Sequence, residues 1–391
     1  MKLVGLELLR VEIPFRVEIG TAVGVHRTRS LLFVRVETTE GEGWGECAAL
    51  AQGTSVDPTV DEVERAMVER GVTRLVDASR SRDGELPAAR HIAQLFGSSS
   101  VDRMMGAAFE MAVIDAELRL TGQSLAEALG VTSPNRTMPV GAAVGIPANG
   151  DIEALRAQVD IEVAMGTKRV RMKIAPGWDI APVRAVRADH EALTLQVDAN
   201  GSYRLDTADP DDPTNANHLA ALADYEVAHI EQPLPPADLI AHAELSHRLP
   251  LPICLDESLT TPRRVADALR NGSCQVACLK PGRLGGMWAT RQAHAACAEA
   301  GVPTFIGGFF EAGLGRSANL ALAALLAQSS AELVGDLSDP SEYLELDPCG
   351  YPVVAHGSVT VPSEPGVGRA PDLGQLDRLG AQRRWFPATY T

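Results

Sequence analysis

From about residue 138 to residue 337, short apolar runs rich in Val and Ile recur at intervals of roughly 25 to 33 residues, each followed by a helix-like stretch rich in Ala, Leu and charge. That rhythm is the mark of repeated βα units, and it restricts the chain to a parallel sheet covered by crossover helices. Eight runs are discernible: 138–145, 169–175, 194–200, 227–233, 252–258, 275–281, 303–309 and 332–337. Eight units in just over 200 residues predict a closed (β/α)8-type barrel, TIM-like and modified if the first or last unit is irregular. A doubly wound open sheet is the rival architecture. It is disfavoured because no Gly-x-Gly-x-x-Gly follows the first strand and because polar residues end several consecutive strands, where an open sheet would gather them at one switch point.

The rest of the 391 residues frames this barrel. Residues 1–132 read as an α+β capping domain: an antiparallel meander turning at Thr39-Glu40-Gly41-Glu42-Gly43, then helices, of which Arg103 to Leu120 is the most periodic and stops at Thr121-Gly122. Residues 133–345 form the catalytic barrel, and residues 346–391, rich in Pro and Gly, are expected to return to the cap. The polar stretch 202–216 is expected to be a loop insertion. With 45% apolar and 22% charged residues the chain can bury a core, which disordered chains cannot. A net charge of −16 repels phosphate backbones and anionic membranes, so nucleic acid and membrane are not expected partners. The longest apolar stretch, Leu320 to Ala327, falls well short of the roughly 20 residues that cross a bilayer, and a cytoplasmic location is expected. Six cysteines are too sparse for a disulfide framework, and Cys274 and Cys278 read as buried strand residues. No Gly-x-Ser-x-Gly elbow supports an acyl-enzyme hydrolase.

In a barrel, polar residues at the carboxyl ends of strands meet at a common mouth. Here they are Arg171 and Lys173, Asp198 and Asn200, Glu231, Asp256, Lys280, Gly307 and Gly308, and Asp336. Asp198, Glu231 and Asp256, on three successive strands, offer hard oxygen donors, with no thiolate or His at an equivalent position. Such a set favours Mg2+, with Mn2+ as the alternative, over zinc. Three carboxylates alone repel one another, so either a dication or the flanking lysines must balance them. A structural ring of salt bridges with Lys173 and Lys280 is the plainer reading. Strands two and six lie opposite each other in an eight-membered ring, which places Lys173 and Lys280 on either side of the carboxylates. That suits removal of a proton next to a carboxylate, with the charge of the resulting enediolate stabilised by a cation. Arg171 alternates onto the side of Lys173, where a fixed guanidinium would disfavour the ammonium form.

These residues resemble the enolase superfamily, in which a Lys or His base works with Mg2+. Within it the chain looks most like the o-succinylbenzoate synthase and N-succinylamino acid racemase family of the muconate-cycloisomerase-like group. The likeness spans nearly the whole chain. It is carried by Gly43-Trp44-Gly45-Glu46-Cys47, the helix around Ala107 to Leu120, Lys173-Ile174-Ala175-Pro176-Gly177-Trp178-Asp179, Val197 to Asn200, Ile230 to Pro233, Leu255 to Ser258, Leu279 to Arg283 and Gly307 to Arg316. The resemblance implies Asp198, Glu231 and Asp256 as metal ligands, Lys173 and Lys280 as acid/base residues, and Asn200 and Glu257 as groups that orient them. By the same likeness Arg171, Ser258, Arg283, Gly307, Gly308, Phe309 and Glu311 are expected either to touch a small-molecule carboxylate substrate or to support the groups that do. Loops around Ile19 to Gly24 and Ala51 to Val56 match those that close over substrate. Homo-oligomers, dimers or octamers, are implied, and a muconate-type cycloisomerase, a dipeptide epimerase or a non-catalytic barrel are the alternatives. Two departures stand out. Arg171 replaces the first lysine of the usual Lys-x-Lys, which is expected to alter hydrogen bonds to the substrate carboxylate. The loop Gln52-Gly53-Thr54-Ser55-Val56 carries no aromatic residue where many relatives place a tyrosine.

Overall fold

The computed structural model describes residues 1–388, save 22, 23, 134, 135, 210 and 329–332. The expected loop Ile19 to Gly24 and the start of the expected eighth strand therefore lie partly outside the described residues.

The N-terminal alternation of apolar and polar residues becomes an antiparallel sheet of β1 (Leu3–Thr21), β2 (Gly24–Thr38) and β3 (Gly41–Cys47). One face is buried by the helix Ser100–Thr121, which starts at Ser99, whose side chain accepts from the Asp102 N–H, and stops at the left-handed Gly122. Gly43 and Gly45 let the helix lie directly on β3: a Cβ at either position would come within 2.2 and 2.1 Å of the Ala112 and Ala108 carbonyl oxygens.

Seven parallel strands follow in the order of the chain: β5 (Gly141–Val144), β6 (Arg169–Lys173), β7 (Thr194–Asp198), β8 (Ile230–Glu231), β9 (Ile253–Leu255), β10 (Val276–Leu279) and β11 (Thr304–Ile306). Among the described residues, no eighth strand forms. Instead the irregular segment around Gly335 and Asp336 joins the two edges, with the Gly141 N–H donating to the Gly335 carbonyl (3.2 Å) and the Asp336 N–H to the Ile306 carbonyl (3.0 Å). The first predicted unit also divides. Its start, β4 (Thr137–Pro139), pairs antiparallel with β13 (Ser358–Thr360), beside β12 (Val354–Ala355), and only β5 enters the barrel. The crossover after β7 is a 3-10 helix, Ala216–Tyr225, begun at Asn215. The chain ends in β14 (Gln382–Pro387), which pairs antiparallel with β1 and forms the edge of the cap sheet. Among the described residues no helix is long and apolar enough to cross a membrane.

Two buried carboxylates fasten the cap to the barrel helices. Glu46 of β3 accepts from the Ala312 and Gly315 N–H groups at the start of the helix Gly313–Leu326, at 2.8 and 2.9 Å. Glu110 accepts from the Met287 N–H at the start of the helix Met287–Glu299, at 2.5 Å. Both satisfy orphan donors at helix N-termini, where the backbone dipoles favour an acceptor. Burial nonetheless pushes each carboxyl up to about 8.

Candidate active site

The parallel register delivers the strand-end residues to one rim. Asp198 lies beside Lys173 on one flank and Glu231 on the other, and Asp256 follows at the end of β9. Just past two of these carboxylates the chain turns through left-handed residues, Asn200 (φ 44) and Gln232 (φ 40). Non-glycine residues in this conformation are strained, and such strain gathers at functional sites.

The lysines are tied to the carboxylates. Lys173 Nζ lies 2.5 Å from Asp198 Oδ2 and Lys280 Nζ lies 2.9 Å from Asp256 Oδ2. Lys280 also sits 4.6 Å from the centre of the Phe309 ring. Burial works against its ammonium, but Asp256 outweighs burial and holds Lys280 above the usual lysine range. Gly307 makes room for it, since a Cβ there would fall 2.8 Å from Lys280 Cε. Burial works against Asp198 and Asp256 too, yet Lys173 holds the first below the carboxylate range and Arg283 with Lys280 holds the second below it. Glu231 goes the other way. Burial raises it well above that range, with Asp198 and Asp256 adding to the rise and Arg171 opposing it.

Supporting groups orient this trio. The Asn200 N–H donates to Asp198 Oδ1 (2.9 Å), and its side-chain amide to Asp198 Oδ2 (3.3 Å) and Glu257 Oε1 (2.9 Å). Burial and the neighbouring Asp256 and Asp198 push Glu257 up to about 7. Arg283 forks between Asp256 and Asp57, a cap residue that the sequence reading passed over although it directly follows the expected loop Ala51 to Val56. Gln232, quoted only as part of a motif, accepts from the Asp256 and Ser258 N–H groups (3.1 Å each) and donates to Ser258 Oγ (2.8 Å). Ser258 thus belongs to the scaffold of the β9 end. Glu311 is likewise a scaffold residue, accepting from the Phe309 N–H and the Asn319 amide and pairing with Arg316. Gly308 leaves room for Arg316, which a Cβ would approach to 2.8 Å.

Arg171 supports the carboxylates instead of standing free for a substrate. Its guanidinium pairs with Glu231 and Asp336, two of the expected strand-end groups. No thiolate or His occupies a strand-end position, but softer donors lie nearby. Ligand atoms of Glu231, Asp256 and Cys278 lie within 4.8 Å of one another, as do those of His229, Glu231 and Cys254. These soft donors lie two residues before the rim positions. Burial raises both thiols well above the usual range and lowers His229 to about 3, so they pack as uncharged groups around Phe305.

The remaining donor set fits a hard divalent cation. Burial and the charges of Asp198 and Asp256 raise Glu231, and Glu231 Oε1 is buried without a hydrogen-bond partner among the described residues. A cation would satisfy both features.

Strands, cap and charged rim define a class, and the chain belongs to it: it is an enzyme of the enolase superfamily. Residues 4–130 match the mandelate racemase / muconate lactonizing enzyme N-terminal domain and residues 154–375 the enolase C-terminal domain-like family. Within the superfamily it is 38% identical to an N-succinylamino acid racemase of an Amycolatopsis species, over 99% of this chain and 100% of that one. It is 33% identical to an o-succinylbenzoate synthase of Geobacillus kaustophilus, over 98% of this chain and 97% of that one. A solved enolase-superfamily member from Listeria innocua superposes with a TM-score of 0.86 at 28% identity, covering 100% of both chains.

Proposed function

We propose that the protein removes the α-proton of a small carboxylate substrate in a Mg2+-dependent reaction, as an N-succinylamino acid racemase, an o-succinylbenzoate synthase or both. Asp198, Glu231 and Asp256 would hold the cation, with Mn2+ the alternative. Bound there, it would stabilise the negative charge that grows on the substrate carboxylate. The observation that carries the reading is the pair of partly buried lysines bound to two carboxylates of one rim. Proton transfer on opposite faces needs two such groups, whereas a purely structural ring needs no space kept free at Gly307. Lys280, held as an ammonium by Asp256, suits the cationic role: it returns a proton in racemisation or stabilises the enediolate during loss of water. Lys173 then removes the proton. Asn200 and Arg283 keep Asp198 and Asp256 in place while the lysines leave them for substrate.

The test is α-proton exchange in deuterated water, followed by NMR with and without Mg2+. The panel holds N-succinylamino acids, dipeptides and the o-succinylbenzoate precursor. Exchange from both enantiomers of an N-succinylamino acid supports two opposed lysines. Exchange that persists after chelation removes the metal from the reading, and no exchange with any member removes the reading itself.

A further inference from the structure

A chain of alternating charges runs through the barrel interior toward the rim. Arg169 Nη2 lies 3.0 Å from Asp336 Oδ1, Arg171 Nη2 contacts the other oxygen of Asp336, and Arg171 Nη1 lies 2.8 Å from Glu231 Oε2. None of the four is more than 8% exposed. Asp336 is fixed at the far end, because its own N–H closes the barrel onto Ile306 and Arg316 donates to its carbonyl. Arg169 is fixed as well, by the Val334 and Ala142 carbonyls. Arg171 lies over the Phe305 ring, its Cζ 5.9 Å from the centre. The guanidinium is thus a rigid strut between the closing segment and Glu231.

We infer that Arg171, braced by Asp336, is a positioning residue for Glu231: it binds one carboxylate oxygen and thereby presents the other, Oε1, to the cation. The inference rests on the Mg2+ reading proposed above. Two observations favour it over a purely structural ion pair. Glu231 Oε2 is taken by Arg171 while Oε1 has no partner among the described residues, so the carboxylate is divided between a protein contact and an open position. Asp198 and Asp256 each meet a lysine, whereas Glu231 is held by an arginine, which cannot give up its proton. A lysine at position 171 would keep the charge. Its single ammonium lacks the planar fork that spans two carboxylates in fixed directions.

The experiment measures Mg2+ affinity of the full chain by calorimetry without substrate, for wild type, Arg171→Lys and Asp336→Asn. Each variant's melting temperature and its KM for Mg2+ and for substrate are measured in parallel. Both variants are expected to bind Mg2+ about tenfold or more weakly, with the KM for Mg2+ rising further than the KM for substrate at saturating metal. Wild-type Mg2+ affinity in variants of lowered melting temperature makes the strut structural only and overturns the inference. A raised KM for substrate with unchanged Mg2+ affinity in Arg171→Lys also overturns it, by showing that the guanidinium serves the substrate. If Arg171→Lys does not fold, the near-isosteric Asp336→Asn carries the test. A wild type that binds no Mg2+ refutes the proposed function and this inference together, and the wild-type titration alone reveals it.

Discussion

Arg283 of the barrel donates from Nε to Asp57 Oδ1 of the cap at 2.8 Å, and the same guanidinium reaches Asp256 at the rim. One side chain therefore joins the loop region of the cap to a candidate metal ligand. Asp57→Asn removes one charge from a buried pair, which is expected to cost about 3 kcal/mol in urea unfolding. Because Arg283 also orients Asp256, kcat/KM should fall by about tenfold or more. Unchanged kinetics in a destabilised variant would confine Asp57 to domain docking.

The lysines should separate by their effects on exchange. Lys173→Ala and Lys280→Ala are each expected to slow turnover by roughly 100- to 10,000-fold, the usual range for loss of a positioned acid or base. In a two-sided mechanism each variant loses exchange from one enantiomer preferentially, which NMR of separate enantiomers reads directly. Full turnover in both variants contradicts the assignment.

Metal removal has a readout free of catalysis. At a Mg2+ concentration 100 times its dissociation constant, binding to the folded chain alone should add about 2.7 kcal/mol of stability. Glu231→Gln should lose most of this gain, and a chelator should reverse it in the wild type.

The Glu110 clamp makes stability depend on pH. Burial raises its carboxyl from 4.5 to about 8, so between those values the folded chain holds a proton that the unfolded chain has released. The contribution is complete below pH about 4.5 and is lost as pH climbs through about 8, at a slope of at most about 1.4 kcal/mol per pH unit. Glu110→Gln keeps an acceptor for the Met287 N–H, and the melting temperature of that variant should decline less steeply with pH. Parallel profiles for the two proteins would count against the clamp.

Gly45 tests the seat of the cap helix. With a Cβ only 2.1 Å from the Ala108 carbonyl, Gly45→Ala should cost about 1–3 kcal/mol in denaturant unfolding, while the folded fraction keeps its kcat.

What the sequence by itself determined is the identity and order of the rim groups. Asp198, Glu231, Asp256, Lys173 and Lys280 each follow an apolar run in a regular βα series, and a parallel strand carries its last residue to the same end every time. Chain order alone therefore places these groups at one mouth. It could not decide where long side chains point or what they meet. Arg171 reads as a strand-end group available to substrate, yet its guanidinium pairs with Asp336, 165 positions later, and with Glu231. Asp57 carries no distinguishing signal in the sequence, and only the fold brings Arg283, 226 positions away, against it. The eighth strand is another such case: a Val-containing run ended by a charge reads as a strand, but hydrogen bonds to both barrel edges shape it as an irregular link. Local periodicity encodes which face a residue occupies, whereas the pairing of buried charges is a property of distances between distant segments, and only the folded chain sets those distances.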